Sequence, residues 1–266
     1  MPTILANELE ISYEQRGAGP PLVLLHGAGS SAQVNYIAQL PLLASAFRVH
    51  LPDARGHGAT RWDPDDGFRA KWLVDDLEAF VDALGIDTFH LVGFSMGAMT
   101  ALGFAVRQPE RLRTLVVASI TAEREPRASV ARRLLDPARI EREEPGWAVE
   151  VARQQDHVQG RGTWRKLLPA IAADVAVQPL LSARELREIR APMLAICGDH
   201  DPMAPVDQVW RLARQVRDGR LFVVPDCGHE VLAGRPALIN EALATFYRST
   251  EAIARQRAER QPEVSR

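Results

Sequence analysis

Phe89-His90-Leu91-Val92-Gly93-Phe94-Ser95-Met96-Gly97-Ala98 is the stretch on which the reading of this chain turns. The apolar run from Phe89 to Val92 reads as a strand covered on both faces. It passes directly into Gly93-Phe94-Ser95-Met96-Gly97, a GxSxG pattern, and residues 98–106 are small and apolar, as in a helix packed inside a layered domain. A strand that reverses this sharply into a helix holds its turn residue in a strained conformation. Glycines two places before and after keep strand and helix from colliding. Such a turn lifts the Ser95 hydroxyl to the carboxyl edge of the sheet, over the positive end of the helix that follows. The bland alternative is a plain glycine-rich turn. The strand–turn–helix context favours Ser95 as a nucleophile.

Outward from this point, strands and helices alternate. Upstream, residues 8–14 alternate polar and apolar side chains and are expected to form a half-exposed edge strand. Leu22-Val23-Leu24-Leu25 is a buried strand ending in the turn-rich His26-Gly27-Ala28-Gly29-Ser30-Ser31. A helical pattern runs through Tyr36, Leu40 and Leu43. The strand Phe47-Arg48-Val49-His50-Leu51 closes at Pro52 and Asp53-Ala54-Arg55-Gly56-His57-Gly58. Leu73, Leu77, Phe80, Val81 and Leu84 make a helical stripe that Gly85 stops. Downstream come strands at residues 112–118, 193–197 and 221–224, and helices at 206–216 and 237–247. This order implies a mostly parallel sheet with helices on both faces. Residues 120–190 are different in character, being Arg-rich, Trp-containing, helically periodic and without strand-like runs. They are too long for a loop and read as a helical insertion. The expected division is a core of residues 1–119 and 191–250, the insertion at 120–190, and a polar tail at 251–266 that frays or projects.

Composition removes several classes. The chain has 266 residues with 46% hydrophobic and 25% charged side chains, which suits a globular protein with a sizeable core. Its 32 basic and 34 acidic residues leave a net charge of -2, so no basic field marks it as a nucleic-acid binder. The two cysteines, Cys197 and Cys227, are too few for a disulfide framework, and no His/Cys cluster has zinc spacing. They read as free thiols of a reducing compartment. No basic-then-apolar leader opens the chain and no apolar run is long enough to span a membrane, so a soluble, cytoplasmic protein is expected.

A serine hydroxyl needs a base beside it. His229, in Asp226-Cys227-Gly228-His229-Glu230, follows the last strand at the same sheet edge. His26 suits bracing of its loop, His57 a structural turn, and His50 and His90 lie inside strands. His157 falls in the insertion, and His200 adjoins the acid candidates. The imidazole in turn needs a carboxylate to fix its tautomer. Cys197-Gly198-Asp199-His200-Asp201-Pro202 offers two. Pro202 pushes Asp201 into an extended conformation that projects from the loop, while Asp199 suits formation of the turn. The other sheet-edge position, after Ala118, holds Ser119 and cannot serve. For an oxyanion, the Met96 N–H at the helix start is one donor and the Ala28 N–H the natural second. Gly27 and Gly29 let the backbone approach a substrate closely.

With His26-Gly27-Ala28-Gly29, Asp53-Ala54-Arg55-Gly56-His57-Gly58, Gly93-Phe94-Ser95-Met96-Gly97, Gly198-Asp199-His200-Asp201 and Gly228-His229 in this order, the chain closely resembles the α/β-hydrolase superfamily. The resemblance covers nearly everything outside the insertion. It implies an eight-stranded, mostly parallel sheet, a helical cap over the site at residues 120–190, and neither cofactor nor metal. Epoxide hydrolases and haloalkane dehalogenases of this fold carry Asp at the elbow, and here the residue is Ser95. Esterases, lactonases, thioesterases, C–C bond hydrolases and perhydrolases remain. The C–C hydrolases usually have a longer Gly/Pro-rich loop than His26–Ser31, which sets cleavage of a carboxylic ester or lactone first. The expected substrate is small and largely apolar, the intermediate an acyl-enzyme on Ser95, and the assembly a monomer or homodimer. Outside hydrolysis, the fold also serves ligand-binding receptors and cofactor-independent dioxygenases. In the cap, Arg132, Arg133, Arg161, Arg165 and Lys166 either attract a carboxylate-bearing lactone or simply form a solvated face. Met203, Trp147 and Trp164 are candidate pocket walls, with cap packing the alternative for the tryptophans.

Overall fold

The computed structural model describes residues 1–259. Eight strands form one sheet: β1 (Thr3–Ala6), β2 (Leu9–Arg16), β3 (Pro21–Leu25), β4 (Arg48–Pro52), β5 (Phe89–Phe94), β6 (Leu112–Ala118), β7 (Met193–Gly198) and β8 (Gly219–Val224). Their order is β1-β2-β4-β3-β5-β6-β7-β8. β2 pairs antiparallel with β1 and β4, and all other pairings are parallel. The edge expected at residues 8–14 is one strand further out. Asn7 and Glu8 both take positive φ (51° and 59°), the signature of a two-residue hairpin turn, and fold β1 back onto β2. Glutamate at the second turn position hides that hairpin from sequence, and four residues are too few to show alternation.

The central parallel strands are apolar at most positions because both faces are covered. Val23 and Leu25, Leu115 and Val117, and Met193 and Ala195 face α3 (Ala70–Ala83), α4 (Met96–Arg107) and α10 (Val206–Gln215). Their neighbours Leu22 and Leu24, Val116 and Ala118, and Leu194 and Ile196 face α1 (Ala32–Asn35), α2 (Leu40–Ala44), α11 (Val231–Gly234) and α12 (Pro236–Glu259). The pattern through Tyr36, Leu40 and Leu43 is thus two short helices. Pro41, in the first turn of α2, lacks the N–H that a continuous helix would use.

Between β6 and β7 run α5 (Arg127–Leu134), α6 (Pro137–Glu143), α7 (Pro145–Gln159), α8 (Trp164–Val177) and α9 (Ala183–Glu188). α6 to α8 share a separate apolar cluster that includes Ile140, Val151, Trp164, Leu167 and Ile171. Leu186 of α9 and the following Ile189 pack instead in the core beneath the sheet. The last helix does not stop at residue 247: α12 continues through the first part of the expected tail to Glu259. The remainder of that tail, residues 260–266, lies outside the described residues.

Register sets the ends of the central strands level. Leu25 pairs with Gly93, Phe94 with Ala118, Ala118 with Ile196, and Gly198 with Val224. The segments that follow β3, β5, β6, β7 and β8 therefore emerge along one edge, where sites of open α/β sheets form.

Candidate active site

Ser95 sits between β5 and α4 at φ 51° and ψ −110°, a conformation that costs energy for a residue with a side chain. Its glycine flanks are obligatory. A Cβ on Gly93 would lie 2.3 Å from the Gly97 carbonyl oxygen, and one on Gly97 would lie 2.3 Å from that of Leu25. The elbow is thus wedged between its own helix and the end of β3.

The loop after β8 brings His229 over the elbow, its Nε2 2.9 Å from Ser95 Oγ. Nδ1 lies 3.0 Å from each carboxylate oxygen of Asp201, on the loop after β7. Asp201 is 5% exposed, and its Oδ1 also accepts the N–H groups of Met203 (2.8 Å) and Ala204 (3.1 Å). Asp199 does the other job: its Oδ1 accepts the Cys227 N–H at 3.1 Å and joins the two loops. Ser119, also at positive φ (55°), donates its hydroxyl to the His229 carbonyl at 2.7 Å, anchoring the backbone from below.

Burial disfavours the imidazolium of His229. The hydrogen bond and charge of Asp201, with the charge of Glu230, outweigh it and raise the pKa above 6.5. Burial likewise opposes ionisation of Asp201, but the bond and charge of His229 and the two backbone N–H groups hold its carboxyl below the usual range. The resting arrangement is a charged Asp201 accepting the Nδ1 proton, which leaves Nε2 to accept from the Ser95 hydroxyl.

The loop after β3 faces the same point and is held from both sides. The Ala54 N–H donates to His26 Nε2 at 3.0 Å, so the ring proton is on Nδ1 and donates to the Gly27 carbonyl at 2.7 Å. Burial drives the His26 pKa down to about 4, which keeps this tautomer neutral. Gly97 N–H donates to the His26 carbonyl at 3.0 Å, and Gly27 N–H to Asn35 Oδ1 at 2.8 Å. The next donor along the loop is the Ala28 N–H. Met96, as the first residue of α4, has an N–H without an intrahelical acceptor.

A cavity opens above Ser95, with Ala28, Met96, Met99 and Met203 on its wall. The structure places the expected oxyanion donors Ala28 and Met96, and Met203 among the expected substrate contacts, on the cavity wall with Ser95, and does not place the tryptophans there. Trp164 is buried in the packing cluster of the cap, and Trp147 packs there too, over Gly29. Gly27 is close to the elbow: a Cβ there would lie 2.9 Å from the Phe94 ring and 3.4 Å from Ser95 Cβ. Arg132, Arg133, Arg161, Arg165 and Lys166 are all exposed. A different cationic residue, Arg127, is on the cavity wall. No periodicity separates it from the other cap arginines. Among the described residues, one group of potential metal ligands, Asp199, His200 and Asp226, lies together on the surface and includes none of Ser95, Asp201 and His229. No helix among them is long and apolar enough to cross a membrane.

A buried parallel sheet, a strained serine elbow and an aligned Ser95–His229–Asp201 chain define a hydrolase-like class. Residues 22–242 match the model of the alpha/beta hydrolase family, and the chain belongs to that family. It is 29% identical over 253 residues to a 2-hydroxy-6-oxo-6-phenylhexa-2,4-dienoate hydrolase of Burkholderia cepacia, covering 84% of this chain and 86% of that protein. It is 26% identical over 257 residues to a pimeloyl-[acyl-carrier protein] methyl ester esterase of Aeromonas hydrophila, covering 90% and 99%. Among solved structures, the enol-lactonase of Burkholderia xenovorans LB400 superposes with a TM-score of 0.73 at 25% identity, covering 92% of this chain and 99% of the other.

Proposed function

We propose that the protein is a serine hydrolase that cleaves a carboxylic ester or lactone of a small, largely apolar substrate. The observation that carries this reading is the unbroken hydrogen-bond chain from Ser95 Oγ through His229 to Asp201, at 2.9 and 3.0 Å. Ser95 Oγ attacks the acyl carbonyl as its proton passes to His229 Nε2, and Asp201 stabilises the imidazolium. The Met96 and Ala28 N–H groups form the oxyanion hole, and loss of one such donor costs about 3–4 kcal/mol. His229 then protonates the leaving oxygen and afterwards takes a proton from water, which releases the acid from Ser95.

Similarity to both a methyl ester esterase and an enol-lactonase supports the ester or lactone reading. The dienoate hydrolase supports a second one, cleavage of a C–C bond beside a carbonyl by the same three residues. Initial rates on p-nitrophenyl esters, γ-lactones and vinylogous 1,5-diketone acids, with Ser95→Ala as control, decide between them. The expected result is turnover of esters or lactones that falls by at least about 10³-fold in Ser95→Ala. Turnover confined to the diketone acids would replace the first reading with the second. Unchanged ester hydrolysis in Ser95→Ala would remove both.

A further inference from the structure

Arg127 opens α5 and is 3% exposed, yet it stands on the wall of the cavity that contains Ser95. With the Gln178 amide oriented so that its oxygen faces the arginine, Oε1 accepts from Nη1 at 3.1 Å and from Nη2 at 3.2 Å. The Nε–H is buried and has no partner among the described residues. Asp174 is the acid whose charge reaches Arg127, and its Oδ2 already accepts the Ala70 N–H at 3.0 Å. Burial and the like charge of Arg124 press the Arg127 pKa down to about 10, which still leaves it cationic near neutrality.

The carbonyls at the C-terminal end of α8 are already satisfied by another arginine. Arg124 closes the C-terminal end of α8: Nη1 donates to the carbonyls of Val175 (3.3 Å) and Ala176 (2.5 Å), and Nη2 to that of Gln178 (2.9 Å). Arg127 adds nothing to those carbonyls. A second guanidinium buried beside the first, without a carboxylate against it, opposes folding unless something anionic completes it. The rest of the wall is mostly apolar, with Phe68, Met99, Ile120, Leu135 and Val175, and it carries no second cation. One guanidinium edge, Nε–H with a neighbouring Nη–H, matches the two oxygens of a carboxylate; a phosphate dianion would call for more donors.

We infer that Arg127 is the carboxylate-binding residue of this cavity, so that the substrate cleaved at Ser95 carries a free carboxylate separate from its scissile acyl group. The part of this that concerns cleavage rests on the hydrolase reading above; the part that concerns anion binding does not.

The test compares mono-p-nitrophenyl adipate with p-nitrophenyl hexanoate, equal in chain length and different in the terminal acid. Wild-type protein is expected to favour the adipate by at least about 10-fold in kcat/KM. In Arg127→Met the adipate ester should lose about 50- to 100-fold, chiefly through KM, while the hexanoate ester changes by less than about threefold. Arg127→Lys should restore part of the loss, since it returns the charge without the two-pronged edge. A parallel fall for both esters, no fall for either, or a wild-type preference for the hexanoate overturns the assignment. If Arg127→Met does not fold, the wild-type preference decides alone. If the wild type hydrolyses neither ester, the hydrolase reading is what has failed. Calorimetry of adipate binding to wild type and Arg127→Lys then judges the anion site: weaker binding by the variant upholds it, and equal binding or none to either overturns it.

Discussion

At the scale of single residues, the imidazole of His229 is the group on which the proposed chemistry turns, and its environment sets a pH signature. It must be neutral at Nε2 to receive the serine proton. Burial alone would push its pKa down, and Asp201 with Glu230 pushes it above 6.5. Activity should therefore fall on acidification with a midpoint of kcat/KM above 6.5, because protonation of His229 removes the base. In Asp201→Asn the main opposing influence is gone. The midpoint should move down, and kcat should fall by about 10⁴-fold as the tautomer is no longer fixed. A midpoint unmoved by that substitution would mean that another group titrates.

At the scale of elements, the elbow and the loop after β3 form one wedge. Gly97 meets the carbonyl oxygens of Leu25 and His26, so a methyl group there would push backbone against backbone. Gly97→Ala should displace the segment carrying Ala28 relative to Ser95, and a shift near 1 Å is enough to lower kcat about 100-fold. Fluorophosphonate labelling of that variant and its circular dichroism together separate displacement from unfolding; full activity would show that the loop does not need this contact. Much of this wedge is legible in the sequence, because strain at a strand-to-helix turn restricts residue types. Gly93, Ser95 and Gly97 can be read in place, and the chain order of Ser95, Asp201 and His229 points to their meeting. Pro202 distinguishes Asp201 from Asp199 in the sequence, and in the structure the first faces His229 while the second ties Cys227. The β1–β2 hairpin is not legible, because its turn is Asn7-Glu8 without glycine. Arg127 is not legible either. Which of several cap arginines turns inward depends on packing between α5 and α8, and helical periodicity does not encode that.

At the scale of the whole molecule, the sheet is closed on both faces and encloses histidines that the proposed chemistry does not use. His26, His50, His57 and His90 are buried, and burial lowers their pKa values to about 4, 4, 3 and 4. Unfolding releases each to its ordinary value of 6.5, so below that pH the unfolded chain takes up protons that the folded chain refuses. Their contribution to stability is complete above pH 6.5 and is lost as pH falls toward 4. Asp53, pushed up to about 6 by burial, acts in the opposite direction over part of that range, as do Asp174, Glu230 and His229, whose pKa values are also raised, but the four histidines are each displaced by two pH units or more. The midpoint of thermal unfolding should accordingly be lower at pH 5 than at pH 7 by at least about 5 °C. An equal or higher midpoint at pH 5 would mean that these rings are not held neutral.

On the proposed mechanism, this architecture makes Ser95 alone, among the hydroxyls of the described residues, a nucleophile driven by His229. Intact-mass spectrometry after treatment with an alkyl fluorophosphonate, followed by peptide mapping, addresses it without knowledge of the substrate. The expected result is a single adduct on Ser95, absent in Ser95→Ala and formed at least about 10³-fold more slowly in His229→Ala. An unmodified wild-type protein, or an adduct that persists in Ser95→Ala, would contradict it.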